Sequence, residues 1–293
     1  MTELLQALIL GLLIGGVYAL MASGLSLIFG VMNIINVAQG AFLILVAMFT
    51  WWLWKSTGVD PILASVVTTP LMFGFGWVLY RTVISRIRGS STSMSVLLTF
   101  GLALTIEGAL NVTAGNKFRS ATPSYFEESY HLGSISLPKP QVYGFVAAVL
   151  VLSALYVVLA HTWAGRAIRA SAQNPSGAAL VGVGATSTAA LAFALGTSTA
   201  GVGGSVLSVL YPFFPASHYD WISRLLGIIV LGGMGSLPGA LAGALVLGLA
   251  ETLTATYWSL RWSTLVFYLV ILVVLLFRPQ GIFGTRLRED VVA

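Results

Sequence analysis

Two acids, Glu107 and Glu251, stand inside long apolar stretches of this sequence. A charge at membrane depth costs on the order of 3 kcal/mol, so such a residue is kept either as a hydrogen-bonded structural carboxyl or for function. Glu251 follows Gly248-Leu249-Ala250 and precedes Thr252, Thr254 and Thr256. That polar face on an apolar helix suits hydrogen bonding within a bundle or the lining of a polar path. Glu107 lies one turn before Asn111. Neither acid has an obvious Lys or Arg partner inside an apolar stretch, which argues against a proton relay or ion pair. The histidines, His131, His161 and His218, fall on three different segments. His218, beside Asp220 in what reads as an external loop, is expected to be solvated. The sequence contains no cysteine, no HExxH, no GxSxG and no GxxxxGK[ST]. It therefore offers no catalytic residue and no metal ligand set, implies no cofactor, and has no means of hydrolysing ATP by itself.

Two clusters of breaking residues interrupt the apolar pattern. The first is Asn33, Asn36, Gln39 and Gly40. The second is Gly232, Gly233 and Gly235, within Gly232-Gly233-Met234-Gly235-Ser236-Leu237-Pro238-Gly239. A smooth helix does not run through such sequences. At membrane depth a break is tolerated where it lines a cavity or is buried in protein, and transporters use breaks to aim backbone groups at a solute. The plain alternative is a tight turn at the membrane surface. These residues and Glu251 are the pathway candidates.

The elements that would position them follow from composition. Of 293 residues, 57% are hydrophobic and 8% charged, against about 25% charged in a soluble domain. Nine apolar runs cover residues 4–29, 34–54, 61–80, 94–114, 142–161, 187–211, 221–234, 239–257 and 262–277. They are apolar on all sides, unlike the alternating strands of a membrane barrel. The expected fold is all-α, one polytopic transmembrane bundle over 1–293 with about eight or nine spans, some broken. The run at 221–234 is too short to decide the count. The start, Met1-Thr2-Glu3 before Leu4, has no basic n-region and reads as a retained span. No repeat of 20–50 residues is visible. Gly11, Gly15 and Gly16, and Gly239, Gly243 and Gly248, recur at near-helical spacing, which favours close helix packing.

Net charge is +5, read here as basic loops touching lipid phosphates, with no nucleic-acid partner. Placing Arg81, Arg86 and Arg88, then Arg166 and Arg169, then Arg278, Arg286 and Arg288 in the cytoplasm puts the N-terminus outside and the C-terminus inside. Lys55, Lys117, Arg119, Lys139, Arg224 and Arg261 then fall on the other side. The loop over about 115–140, with Glu127, Glu128, His131 and three prolines, is the longest polar segment and reads as external.

The loop over about 162–186 reads as helix, break, helix. Residues 164–172 favour a helix with Arg166 and Arg169 on one face. Asn174 suits an N-cap and Pro175 the first helical position; residues 176–183 then form a short helix. A capped helix outside the membrane, without catalytic groups, suits docking by a partner.

At these residues the chain resembles a known family. Residues 165–183 resemble the cytoplasmic coupling loop of branched-chain amino acid ABC transporter permeases, the LivH-like group. Residues 24–40 resemble that family's first block, 228–239 its Gly-rich block, and 277–284 its ending, so the likeness runs in order along nearly the whole chain. The resemblance implies a permease subunit of a bacterial inner-membrane importer, not an enzyme, that forms half of a pathway for a small polar solute. It implies a second homologous permease, two cytoplasmic ATPase subunits and an extracytoplasmic solute-binding protein as partners. It also implies ATPase coupling through Gly165, Arg166, Arg169, Gln173, Asn174, Pro175, Ala178, Ala179, Leu180 and Gly182. One departure stands out. Where family members carry His-Gly-Glu, this chain has Gln39-Gly40-Ala41, which leaves a branched-chain amino acid, urea, an amide or a similar organic solute open. The competing reading is a stand-alone secondary transporter or channel, which requires an intramembrane ion-coupling cluster. A membrane enzyme is a third, and lacks its constellation.

Overall fold

A backbone in hydrocarbon must satisfy its own hydrogen bonds, and each of the nine apolar runs does so as one long helix. The computed structural model describes residues 2–87, 92–133 and 135–283; Arg88, Gly284, Arg286 and Arg288 lie outside the described residues. In chain order the helices are α1 (Thr2–Met32), α2 (Gln39–Thr57), α3 (Ser65–Thr82), α4 (Thr92–Ala114), α5 (Lys139–His161), α6 (Trp163–Gln173), α7 (Pro175–Leu180), α8 (Ala185–Leu210), α9 (His218–Gly232), α10 (Leu237–Tyr257) and α11 (Leu260–Phe277). Seven of them, α1, α2, α4, α5, α8, α10 and α11, are long and apolar enough to cross a membrane. The other two long helices fall short for different reasons. α3 is diluted by Thr68, Thr69, Pro70, Gly74 and Gly76. α9 has 15 residues, or about 22 Å of rise, against a hydrocarbon core of about 30 Å.

Several boundaries differ from the sequence reading, and two of them matter for the interior. The run at 34–54 is helical only from Gln39, because Asn33 takes a left-handed conformation (φ 53°) and ends α1. The run at 221–234 starts earlier, at His218, and ends at Gly232. The loop between α4 and α5 also carries an antiparallel hairpin, β1 (Ser129–Leu132) against β2 (Ile135–Pro138), with Ser129 opposite Pro138. Its end of the bundle is called the hairpin end here, and the opposite end, where α6 and α7 lie, the elbow end.

The long helices run alternately between these ends. The side-chain amide of Gln6 near the start of α1 donates to the Ser136 carbonyl of β2, and the far end of α1 meets the elbow end, where Gly30 touches Gly235. α3 runs antiparallel to α8: the Thr68 hydroxyl donates to Gly201 O at 2.8 Å and the Thr197 hydroxyl to Met72 O at 3.1 Å. α1 and α8 form the centre. Tyr18, Leu20, Met21, Leu25, Ile28 and Phe193 are sealed there. The glycine stripes meet one another: a Cβ on Gly248 of α10 would come within 2.6 Å of the Gly15 Cα of α1, so only the bare backbone permits that crossing. The outward side chains of α3, α4, α5 and α11, such as Val66, Leu97, Leu150 and Leu272, are large, apolar and exposed, as a lipid-facing surface requires.

Candidate solute pathway and coupling elbow

The chain between α1 and α2 does not simply turn around at the surface. After Asn33 it folds back, and α2 begins inside the bundle beside α8. Gln39 is sealed there and its side-chain amide donates to Gly196 O at 3.3 Å. The Asn36 amide donates to Gln39 Oε1 at 3.4 Å. On the α4 side, Thr99 accepts from Val37 N at 3.1 Å and donates to Ile35 O at 3.2 Å. A second fold-back follows α8. Tyr211-Pro212-Phe213-Phe214-Pro215 returns from the hairpin end, tied to the loop between α4 and α5 by the Arg119–Phe213 backbone pair, and α9 starts at His218. The two starts meet: a Cβ on Gly40 would lie 2.5 Å from His218 O and 3.0 Å from Ile222 N. Two helices pointing to opposite ends of the bundle thus bring their N-termini, each with partial positive charge, together inside it. Asn36, Gln39 and Gly40 belong to this junction. Asn33 does not; it is exposed at the elbow end.

Glu251 has an arginine partner, which corrects the expectation that neither acid meets a Lys or Arg, and Glu107 pairs with a histidine. Arg224 of α9 donates to Glu251 at 2.9 and 3.0 Å, and the Tyr18 hydroxyl donates to the same carboxylate at 2.7 Å. The hydroxyls of Tyr18 and Tyr211 lie 3.2 Å apart, and the guanidinium stands over Phe267 at 5.2 Å. Arg224, grouped by the sequence with the external basic residues, is therefore an interior residue. His218 is corrected likewise. It is 1% exposed and places Nε2 2.9 Å from Glu107 Oε2. The pairs were hidden because their members lie far apart in sequence. Arg224 did carry a signal, since Trp221-Ile222-Ser223-Arg224-Leu225-Leu226-Gly227 sets an arginine inside an apolar run. The prolines at 212 and 215, so close behind a span, likewise mark the fold-back.

The second glycine cluster is a crossing of backbones at the elbow end. Gly233 and Gly235 have φ of 103° and 81°, a region that disfavours any side chain. A Cβ on Gly232 would meet Gly239 O at 2.1 Å, and one on Gly30 would meet Gly235 O at 2.7 Å. The segment after α11 adds hydrogen bonds from Ile282 N to Leu231 O and from Phe283 N to Gly232 O, at 2.8 and 2.9 Å. Gly232, Gly233 and Gly235 are thus brought together with one another, but not with Asn36, Gln39, Gly40 or Glu251.

The elbow is built on α5 and α8. Thr162 caps α6 by accepting from Gly165 N at 3.1 Å, and Asn174 caps α7 by accepting from Gly177 N at 2.9 Å. Gly165 sits where a Cβ would strike the Leu159 carbonyl at 2.2 Å. The Arg169 guanidinium turns back onto the Leu159 and Ala160 carbonyls at the end of α5. Ala178 is buried, whereas Arg166, Gln173, Asn174, Pro175, Ala179 and Gly182 are exposed. At the tip Leu180 is 89% and Val181 78% exposed. Among the described residues no group of three or more His, Asp or Glu is placed to hold a metal ion.

Comparison with known proteins gives the arrangement its context. The family model described as branched-chain amino acid transport system / permease component matches residues 7–275. The high-affinity branched-chain amino acid transport system permease protein LivH of Escherichia coli strain K12 is 29% identical over 300 residues, covering 96% of this chain and 95% of the relative. The corresponding permease protein BraD of Pseudomonas aeruginosa is 29% identical over 297 residues with the same coverage. A probable branched-chain amino acid transport permease protein LivH of Methanocaldococcus jannaschii is 26% identical over 230 residues, 75% of this chain and 71% of that one. No solved structure matches the chain. The chain belongs to the family of permease components of branched-chain amino acid transport systems.

Proposed function

We propose that this chain is the transmembrane permease subunit of an ABC importer and forms half of the pathway for a small polar solute, with a branched-chain amino acid as the leading candidate. The observation that carries the reading is the elbow: a capped helix projecting bare Leu180 and Val181 beyond the bundle. Large apolar side chains so exposed at a helix tip suit a protein groove. In this reading two cytoplasmic ATPase subunits supply the grooves. Arg166, Gln173, Asn174, Pro175, Ala179, Leu180 and Gly182 present the contact surface, while Gly165, Arg169 and Ala178 hold it in place. Because α6 is bonded to the end of α5 and α7 leads into α8, a push on the elbow moves both helices together.

The close packing of α1 on α8 leaves no route between them, which supports a pathway along the subunit's flank, completed by a second, related permease. The hairpin end would face outward, toward a solute-binding protein, and the elbow end the cytoplasm. Described basic residues divide between the ends: Arg81, Arg86, Arg166, Arg169 and Arg278 at the elbow end, and Lys55, Lys117, Arg119, Lys139 and Arg261 at the hairpin end. The described residues thus carry no inward bias of the kind that the rule expects.

One observation favours the second reading, a stand-alone carrier: two acid–base pairs do lie inside the bundle. Reconstitution separates the two. The importer reading expects uptake only with the ATPase subunits, binding protein and ATP present, and expects Arg166→Glu or Asn174→Pro to uncouple hydrolysis from uptake in a protein that still inserts. Uptake by the permease alone, or coupling that survives both substitutions, would sink it.

A further inference from the structure

We propose that Glu107, together with Asn111, binds the ammonium group of the transported solute, with His218 as its positioning residue; this rests on the importer reading and adds a chemical class to it. Glu107 lies about two turns inside the Ala114 end of α4. Its carboxylate is held on one side by His218 Nε2 at 2.9 Å, and the Tyr219 hydroxyl lies against it. The Glu107 side chain still keeps 17% of its surface open, against 1% for His218. A carboxylate edge cannot be left in hydrocarbon, so the face of α4 that carries it must be met by protein, water or solute.

Two acceptors near Glu107, one on α4 and one on α9, lack hydrogen-bond partners. Asn111 follows Glu107 at i, i+4, on the same side of the helix, and its Oδ1 is buried without a partner. With Nε2–H donating to Glu107, His218 Nδ1 is an acceptor, and it too is buried without a partner. A buried acceptor left empty costs about 1–3 kcal/mol. Carboxylate and amide oxygens together want donors and positive charge, which a primary ammonium supplies through three N–H bonds. Glu251 is exposed to a similar degree, 15%, but its oxygens already accept from Arg224 and Tyr18.

The test uses the permease assembled with its partner subunits in proteoliposomes and a hydrophobic carbodiimide, which couples to carboxyls at membrane depth. Peptide mass spectrometry follows the modification of Glu107, and Glu107→Gln identifies the labelled position. L-leucine at about ten times its Kd is expected to slow that modification roughly tenfold, the protection that mass action gives at that occupancy. 4-Methylpentanoate, the same skeleton without the ammonium, is expected to leave it unchanged. Equal protection by both, protection by neither, or a Glu107 that never reacts would overturn the proposal. ATP-dependent uptake in the same vesicles is a separate readout: its absence removes the importer reading, and the labelling still decides the ammonium site.

Discussion

Glu251 and Glu107 place the same carboxyl group inside the bundle, but in opposite states of completion. Glu251 is closed by an arginine and a tyrosine hydroxyl, with a second tyrosine and Phe267 packed around them. Glu107 has one imidazole and the Tyr219 hydroxyl against it, with unpartnered acceptors at Asn111 and His218. The difference separates scaffold from site more clearly than burial does. A saturated ion pair joins α1, α9 and α10 and has nothing left to offer. An unsaturated cluster at the meeting of two helix N-termini retains the capacity to bind.

The comparison can be broken hardest at the closed pair. Glu251→Ala leaves Arg224 uncompensated in a largely buried site and is expected to cost about 3 kcal/mol, read as a lower thermal unfolding temperature in detergent. Arg224→Met with Glu251→Leu should recover most of that loss. If the single substitution is silent, Glu251 is not scaffold. Next in size is Gly40→Ala. The added methyl must displace the start of α9 from α2, at about 1–3 kcal/mol, and should disturb Glu107 through His218 while sparing Glu251. Asn174→Ala removes the cap of α7 and is expected to cost about 1 kcal/mol locally, seen as faster hydrogen exchange over 175–180 with unchanged global unfolding. The smallest loss of stability is at the open site: Asn111→Ala removes an acceptor that has no partner and should leave stability unchanged or raise it by about 1 kcal/mol. The same variant should lower L-leucine uptake several-fold, a loss that the matching substitution Thr256→Ala at the hairpin end of α10 should not reproduce.

The helices were legible because each declares itself locally. An uninterrupted apolar run fixes its own backbone pairing, and Asn174-Pro175 marks the start of α7 by residue type alone. The glycine stripes could be read as close packing, though not which stripe meets which. The junction was half legible. Asn33 to Gly40 announced a break, but residues 211–217 were merged into a span and a loop, so α9 lost its first residues and His218 was placed in water. Arg224 was visible in an apolar run and was assigned to the wrong environment because its partner lies in another helix.

Composition, run length and capping residues by themselves determined that this chain is a helical bundle for a bilayer, with an elbow between α5 and α8. These are short-range matters, decided within a few residues by backbone hydrogen bonding and transfer out of water. Only the tertiary structure decided that Glu251 meets Arg224 and Tyr18, that Glu107 meets His218, and that α2 and α9 begin at one point. Those contacts join positions 27, 233 and 111 residues apart. No local rule reaches so far; the packing of α1 and α8, and the two fold-backs beside them, bring those side chains within bonding distance.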